Sequence, residues 1–179
     1  MLSRESIRGL SAYFRSLVHV SARGDALTLA RHQTFIASRL LGGALALCVF
    51  PIYLVVGGKP SLLSAVAFLW LMSPIAIAIY LSRTGRFVVA HRISAVNFAG
   101  LVTYCAWLTG GISSALLPWL VAVPIEAGLS TDRRSVMWAV GAAGTGLAVL
   151  AVLGAAGLDP SPFTLPITPT AFAFLGTFR

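Results

Sequence analysis

Side chains able to carry out acid–base or metal chemistry are few in this 179-residue sequence, and they are poorly spaced for it. The histidines His19, His32 and His91 have no carboxylate or second histidine at metal-ligand spacing. No phosphate-binding glycine loop, His-Glu-x-x-His motif or serine elbow occurs in the sequence. Cys48 and Cys105 lie in apolar runs and are too few for a disulfide scaffold or a four-ligand zinc site. We therefore expect no catalytic, cofactor-binding or metal-binding residue in this chain.

Glu126 is the one acidic residue inside a long apolar run, and a carboxylate in lipid is a functional hypothesis by default. It lies five residues from the end of its run, at a depth of roughly 7 Å for a helix. Asn97 falls at about the same depth in the preceding run. We predict a hydrogen bond between Asn97 and Glu126 that fixes the register of two helices. One alternative is that Glu126 extends towards Arg133 or Arg134 and only anchors its helix end. Another is that Glu126, like Asn97 a candidate for signal coupling or packing, couples a signal or exchanges a proton.

Two prolines bracket the run that holds Glu126, and a glycine turn precedes it. Pro118 and Pro124 are candidates for signal coupling or for packing, because proline kinks a helix and frees carbonyls that neighbours must satisfy. The sequence Thr109-Gly110-Gly111 predicts a tight turn between helices. Small residues predict close helix packing or a dimer contact, namely Gly141, Gly144, Gly146 and Gly154 in the next run and Gly42 and Gly43 in the first run.

The amino-acid composition indicates whether these residues lie in a water-soluble or a membrane protein. Apolar residues make up 58% of the chain and charged residues 10%, well under half of the roughly 25% usual in soluble domains. With a mean hydropathy of +0.89, the net charge of +8 has no polar surface on which to form a nucleic-acid site. The expected partner is the lipid bilayer, and no nucleic acid.

Apolar windows of about 20 residues predict membrane-spanning helices, because such a helix crosses a hydrocarbon core of about 30 Å. Continuous apolar runs exclude a membrane β-barrel, whose strands alternate. The predicted fold is all-α, a polytopic bundle of five to six transmembrane helices with an N-terminal cytoplasmic amphipathic helix. The spans are residues 37–57, 61–82, 89–109, 114–130, 136–158 and 162–178. Pro166 and Pro169 leave open whether the last span crosses fully.

Basic residues predict the orientation, because short cytoplasmic loops collect lysine and arginine. Eleven arginines precede or open span one or lie at the second and fourth connections, whereas the opposite connections hold Lys59 as their one basic residue. This pattern predicts a multi-pass membrane protein with a cytoplasmic N-terminus. The arginines among the first residues argue against a cleaved secretory signal.

The first 34 residues form a predicted cytoplasmic arm, and residues 35–179 form a predicted transmembrane helical domain. In the arm, the spacing of apolar and basic residues predicts a helix with two different faces. The apolar face consists of Ile7, Leu10, Phe14 and Leu17, and the basic face consists of Arg4, Arg8 and Arg15. Such a helix lies on the inner leaflet or packs on a partner. Gly24 then predicts a break and Asp25 an N-cap, followed by one continuous helix over residues 26–56.

Four stretches resemble the N-terminal membrane region of bacterial PAS-containing sensor histidine kinases of the DivJ-like cell-cycle type. They are residues 17–32, 81–86, 109–114 and 123–127, with the sequences LVHVSAR through ARH, LSRTGR, TGGISS and VPIEA. Ala115 stands where such regions often have proline. The resemblance covers nearly the whole chain, but its motifs lie in loops and packing faces.

The resemblance implies a longer parent protein, of which this chain is a fragment. A PAS module, a dimerisation helix pair with the phospho-accepting histidine, and a kinase core that binds ATP and Mg²⁺ would follow. The implied partners are a second copy and a response regulator. None of the three histidines here stands in the phospho-acceptor context. Two alternatives remain open, the sensor region of another output enzyme such as a diguanylate cyclase, and a fragment of a small-molecule permease.

Overall fold

The chain folds into helices joined by turns. A computed structural model describes residues 13–14, 16–57, 61–130 and 132–158, without the side chains of residues 53–57. These residues form no strand. They form six α-helices, α1 (Ala26–Gly57), α2 (Leu62–Leu71), α3 (Ser73–Thr84), α4 (Phe87–Leu108), α5 (Trp119–Gly128) and α6 (Arg133–Ala155), with 3₁₀ turns at Val20–Ala22 and Gly111–Ser113.

Four segments of the described chain are long and apolar enough to cross a membrane. They are Ala26–Ile52 within α1, Leu62–Thr84 formed by α2 and α3, α4, and α6. The predicted number of five to six transmembrane helices is not confirmed. Of residues 114–130 only α5 is an α-helix, and its 10 residues cover about 15 Å, half of a bilayer core. The predicted span 162–178 lies outside the described residues.

The segment before α5 is non-helical because its side chains and a proline compete with the helix. Ser114 Oγ accepts a hydrogen bond from the Leu116 amide at 3.1 Å and lies 2.6 Å from Thr109 Oγ1. Pro118 disfavours helical geometry at the residue before it but fits the start of a helix. Successive turns therefore continue until α5 begins at Trp119.

Helix α1 confirms the predicted continuous helix over residues 26–56 and ends at Gly57. Asp25 caps its N-terminus, since Asp25 Oδ2 accepts from the Thr28 amide at 2.9 Å. Residues 1–12 and 15 of the predicted amphipathic arm lie outside the described residues. Phe14 and Leu17, from its apolar face, pack against the chain's own buried cluster.

Contacts at the two ends of α4 and α6 establish the helix directions. Arg92 Nη2, near the start of α4, lies 3.0 Å from Asp132 Oδ2, which precedes α6. At the other end, Trp107 Nε1 donates to the Leu158 carbonyl at 3.1 Å. Helices α4 and α6 are therefore parallel, and α5 returns the chain between them. We call the end that carries Arg83, Arg86, Arg133 and Arg134 the arginine-rich end, and the other the opposite end.

Two buried clusters hold the bundle together. The first joins the N-terminal segment, α1, α3 and the start of α4, with Val18, Ile36 and Leu81 at its centre. The second joins α4, α5 and α6 through small residues and Leu120 and Val123. Large apolar side chains cover the outside instead, and Leu62 is 82% exposed. An exposed leucine surface of this extent fits contact with hydrocarbon.

Helices α4 and α6 approach closely at a glycine. A Cβ added at Gly146 would collide with the Thr103 hydroxyl, which donates to the Ala99 carbonyl at 2.8 Å. A Cβ added at Gly144, on the same helix, would have nothing within 4 Å. Of the predicted packing glycines, Gly146 thus lies at the α4–α6 interface, and Gly43, whose added Cβ would collide with the Ile75 side chain, lies at the α1–α3 interface.

We expect Gly146→Ala to lower the free energy of unfolding by about 1–3 kcal/mol, because the methyl group overpacks the α4–α6 contact. Gly144→Ala is the matched control, and we expect it to be neutral or slightly stabilising. Denaturant titration of the detergent-solubilised protein measures both. Equal effects of the two substitutions would contradict the assigned interface.

Candidate functional site

Arg39 and Glu126 form an ion pair between α1 and α5. Their side chains are only 17% and 31% exposed. The Arg39 guanidinium lies 4.8 Å from the centre of the Phe35 ring, and Arg39 Nε is buried without a hydrogen-bond partner among the described residues. Both residues lie within the apolar bundle, where an unpaired charge is costly. The pair connects two helices that are distant in the sequence.

The ion pair corrects both interpretations of Glu126. The predicted hydrogen bond between Asn97 and Glu126 is wrong, because Asn97 bonds to other residues. The alternative partners Arg133 and Arg134 are wrong as well, since Glu126 pairs with Arg39. The sequence held a signal for this partner: Arg39 lies inside the predicted span 37–57, and Glu126 is the one carboxylate within any span.

Asn97 instead connects α4 to the break between α2 and α3. Its Oδ1 accepts from Trp70 Nε1 at 2.9 Å, and its Nδ2 donates to Ser73 Oγ at 2.7 Å. Trp70 lies in α2 and Ser73 begins α3, so one amide holds both halves of the interrupted helix. Pro74, in the first turn of α3, explains the interruption because it cannot donate a backbone hydrogen bond.

The other predicted site residues shape the return segment. Pro118 immediately precedes α5, and Pro124 lies inside that helix. Thr109 caps the end of α4, and Gly110 and Gly111 follow with φ angles of 116° and 60°, a geometry that favours glycine. Thr109, Gly110 and Gly111 therefore form the predicted turn. The turn and the two prolines do not come together with Asn97 and Glu126 in one site.

A buried histidine and phenylalanine cluster lies at the arginine-rich end. The His91 ring is 4.5 Å from that of Phe35 and 4.6 Å from that of Phe87, between ring centres. His32 stacks on Phe87 at 4.9 Å, and its Nδ1 lies 2.9 Å from the Thr28 carbonyl. Sequence reasoning did not bring these two histidines together. Among the described residues no three histidine, cysteine or acidic side chains are placed to hold a metal ion.

Asp132 links the start of α6 to α4. Its Oδ2 accepts from the amide and hydroxyl of Ser135 at 3.0 and 2.7 Å, and from Arg92 at 3.0 Å. These hydrogen bonds hold the pKa of Asp132 at about 2, below its ordinary 3.8. The bond from the Ser135 side chain has the largest effect, followed by the bond from Arg92. Asp132 therefore stays charged and acts as both helix cap and interhelical partner.

Polar and charged contacts join the helices in the part of the chain that the structure describes. The ion pair connects α1 to α5, Asn97 connects α4 to α2 and α3, and Asp132 connects α6 to α4. Each link is a charged or polar contact with a defined geometry, so a relative shift of two helices breaks it. Comparison of the chain with protein-family models, with characterised proteins and with solved structures yields no match.

We expect Arg39→Gln and Glu126→Gln each to lower the free energy of unfolding by about 2 kcal/mol, because each leaves the other charge unpaired in the bundle. The double variant should lose less than the sum, with a coupling of about 1 kcal/mol or more. Denaturant titration in detergent gives all three values. Arg31→Gln, at an exposed position of α1, is the control and should be near neutral. Strictly additive losses would show that the two charges do not interact.

The Asp132 cap predicts a pH dependence of stability. A carboxyl whose pKa falls on folding stabilises the protein above its unfolded pKa, near 3.8, and this contribution disappears as the pH falls towards 2. We therefore expect Asp132→Asn to be less stable than the wild type at pH 6 and the difference to vanish between pH 4 and 2. Thermal unfolding in detergent across this interval measures it. A constant difference at all pH values would rule out the charged form as the stabilising species.

Proposed function

We propose that this chain is the membrane sensor module of a bacterial two-component sensor histidine kinase, which relays a membrane-side stimulus to a kinase core outside these residues. In this proposal it is a multi-pass homodimer of the inner membrane with a cytoplasmic arginine-rich end and N-terminus. Residues 1–34 form the amphipathic arm, residues 114–130 return the chain, and residues 162–178 add a sixth span. ATP and Mg²⁺ bind the kinase core, which passes phosphate to a response regulator.

The observation that carries this proposal is the Arg39–Glu126 ion pair. A helix bundle that only anchors a protein in lipid needs no charged residues in its interior, and such pairs are costly to bury. A paired charge between α1 and α5 does have a use in a two-state element, because small helix displacements make or break it. The pair is therefore suited to distinguish two arrangements of the bundle.

A chain of contacts leads from this pair to the arginine-rich end. Arg39 lies over Phe35, whose ring contacts His91 and Phe87 at the start of α4. The N-terminal segment that precedes α1 also packs at the arginine-rich end, where Ser82 Oγ donates to the Leu17 carbonyl. A displacement of α1 therefore moves the N-terminal segment and the α3–α4 turn together. In the proposed orientation this end faces the kinase core.

Short connections restrict how a stimulus can arrive. Between α1 and α2 the chain has four residues, and between α4 and α5 it has ten, three of them in a 3₁₀ turn. Neither connection is long enough to hold a folded ligand-binding domain. The stimulus therefore acts through the bilayer, through another membrane protein or within the bundle.

The permease alternative is favoured by one observation, the break between α2 and α3 at which Trp70, Ser73 and Asn97 converge. Transporters commonly bind substrate where a helix is interrupted near the membrane midplane. The two functions predict different products: solute accumulation in vesicles for a permease, and phosphorylated protein for a kinase.

The kinase proposal predicts that the complete gene product containing this sequence takes phosphate from ATP in inside-out membrane vesicles. We expect an acid-labile, base-stable phosphoprotein, as phosphohistidine is. Arg39→Gln and Glu126→Gln should change its level in the same direction, by roughly fivefold or more, because both break the same contact. The charge exchange Arg39→Glu with Glu126→Arg should restore the level towards that of the wild type.

The control for this experiment is Arg31→Gln, which removes a charge from the exposed side of α1 and should leave phosphorylation unchanged. Absence of ATP-derived phosphate on the complete protein contradicts the kinase assignment. Phosphorylation that the folded ion-pair variants do not alter contradicts the coupling role of Arg39 and Glu126.

A further inference from the structure

A long groove runs along the outside of the bundle between α4 and α6, with Trp70 of α2 on one wall. Its volume is about 1040 Å³, at the upper limit of the roughly 300–1,000 Å³ of ligand pockets. On α6 it follows one helix face from Arg134 to Leu153, nineteen residues and about 28 Å. The groove thus extends over nearly the full thickness of a bilayer core.

The groove is apolar, and it is concave because small residues line its α6 side. Gly141, Ala142 and Thr145 occupy the face between α6 and α4. A Cβ added at Gly141 would have nothing within 4 Å, so this glycine borders open space. Gly144 also borders open space but does not line the groove. Substitutions at Gly141 and Gly144 therefore distinguish effects in the groove from effects elsewhere on the α6 surface.

One charged side chain borders the groove, and it lies at the arginine-rich end. Arg134 is exposed and forms no ion pair with the residues that the structure describes. Trp138, one turn further along α6, is 60% exposed and also lines the groove. No carboxylate among the described residues lines it. The groove therefore combines an apolar channel with a cation at one membrane boundary.

We infer that this groove binds an anionic phospholipid from the leaflet at the arginine-rich end, with its phosphate at Arg134 and an acyl chain along α6 towards Thr145. The phosphate and guanidinium are complementary in charge and hydrogen bonding. Arg134 and Thr145 are eleven residues apart, about 16 Å, or half of a hydrocarbon core of about 30 Å. One leaflet's acyl chain has this reach. The indole of Trp138 lies at the boundary level that tryptophan prefers.

A lipid fits this groove better than a water-soluble ligand. The groove opens sideways on the surface whose leucines face outward, so its entrance lies in hydrocarbon and not in water. Its lining offers dispersion contacts along most of its length and a single cation at one end. An amphiphile with one anionic head and a long apolar tail matches both features. The inference does not depend on the kinase proposal.

Tryptophan fluorescence provides the test, because Trp70, Trp107 and Trp138 line the groove and are three of the four tryptophans in the chain. The Trp119→Phe variant removes the fourth. We reconstitute this 179-residue variant in phosphatidylcholine nanodiscs with increasing fractions of brominated phosphatidylglycerol or brominated phosphatidylcholine. Bromine quenches the indoles that it contacts. We expect phosphatidylglycerol to quench with about fivefold higher apparent affinity, as one cation near anionic lipid contributes about 1 kcal/mol.

Two matched pairs of variants assign the site. Arg134→Gln should abolish the preference for phosphatidylglycerol, whereas Arg133→Gln, at the neighbouring exposed arginine outside the groove, should retain it. Gly141→Leu fills the groove and should reduce the excess quenching, whereas Gly144→Leu should not. Size-exclusion chromatography and circular dichroism confirm that each variant is folded.

Three results would overturn the inference. Equal quenching by the two brominated lipids would show that the groove does not select an anionic headgroup. Equal losses of the phosphatidylglycerol preference in Arg133→Gln and Arg134→Gln would indicate attraction to diffuse surface charge and not to the groove. Excess quenching that emerges only in a chain truncated after residue 158, or only in dilute monomer, would show that another segment of the chain or a second copy occupies the groove.

Discussion

Inside the described part of this bundle, Arg39, Glu126 and Asn97 each bond to another side chain, and the need for such partners determines how the helices are arranged. Arg39 and Glu126 lie on helices that are far apart in the sequence, and neither is stable in an apolar interior alone. Their pairing therefore fixes the position of α1 relative to α5. The hydrophobic effect cannot do this, because lipid solvates an apolar helix face as well as a neighbouring helix does. Specific polar contacts and close packing of small residues take its place.

The same constraint explains how the chain tolerates irregular backbone at membrane depth. Between α2 and α3 the α-helical hydrogen-bond pattern is interrupted at Met72, whose N–H donates to the Leu69 carbonyl, and the Asn97 amide bridges the side chains on either side of the break. Before α5, Ser114 bonds to the Thr109 side chain and the Leu116 amide, so the turns there carry their own partners. Polar side chains thus accompany both irregularities: Asn97 joins the two sides of the first, and Ser114 accepts from a backbone amide in the second.

The sequence predicts the positions and lengths of most helices better than it predicts which faces meet. Apolar run length, Asp25 as a cap and glycine turns correctly located α1, the α2–α3 segment, α4 and α6, because these are local properties of the chain. The partner of Glu126 is not a local property. The direction in which a side chain projects from a helix depends on how helices pack, so Asn97 and Glu126 bond to different neighbours. The length of α5 was mispredicted because hydropathy does not register the helix-breaking effect of Pro118 and Ser114.

Specific contacts are concentrated at one end of the molecule. At the arginine-rich end, Asp25, Asp132 and His32 bond to backbone or to neighbouring helices, and the N-terminal segment packs on the α3–α4 turn. Gly85 in that turn has a φ of 67°, and an added Cβ would lie within 2.8 Å of both Ser21 Oγ and His19 Nδ1, so the segment approaches the turn closely. At the opposite end, Trp107 Nε1 donates to the Leu158 carbonyl and the Tyr104 hydroxyl donates to the Leu63 carbonyl. In the sensor module proposed above, the bonds at the arginine-rich end would make its parts move together, which the transmission of a helix displacement requires.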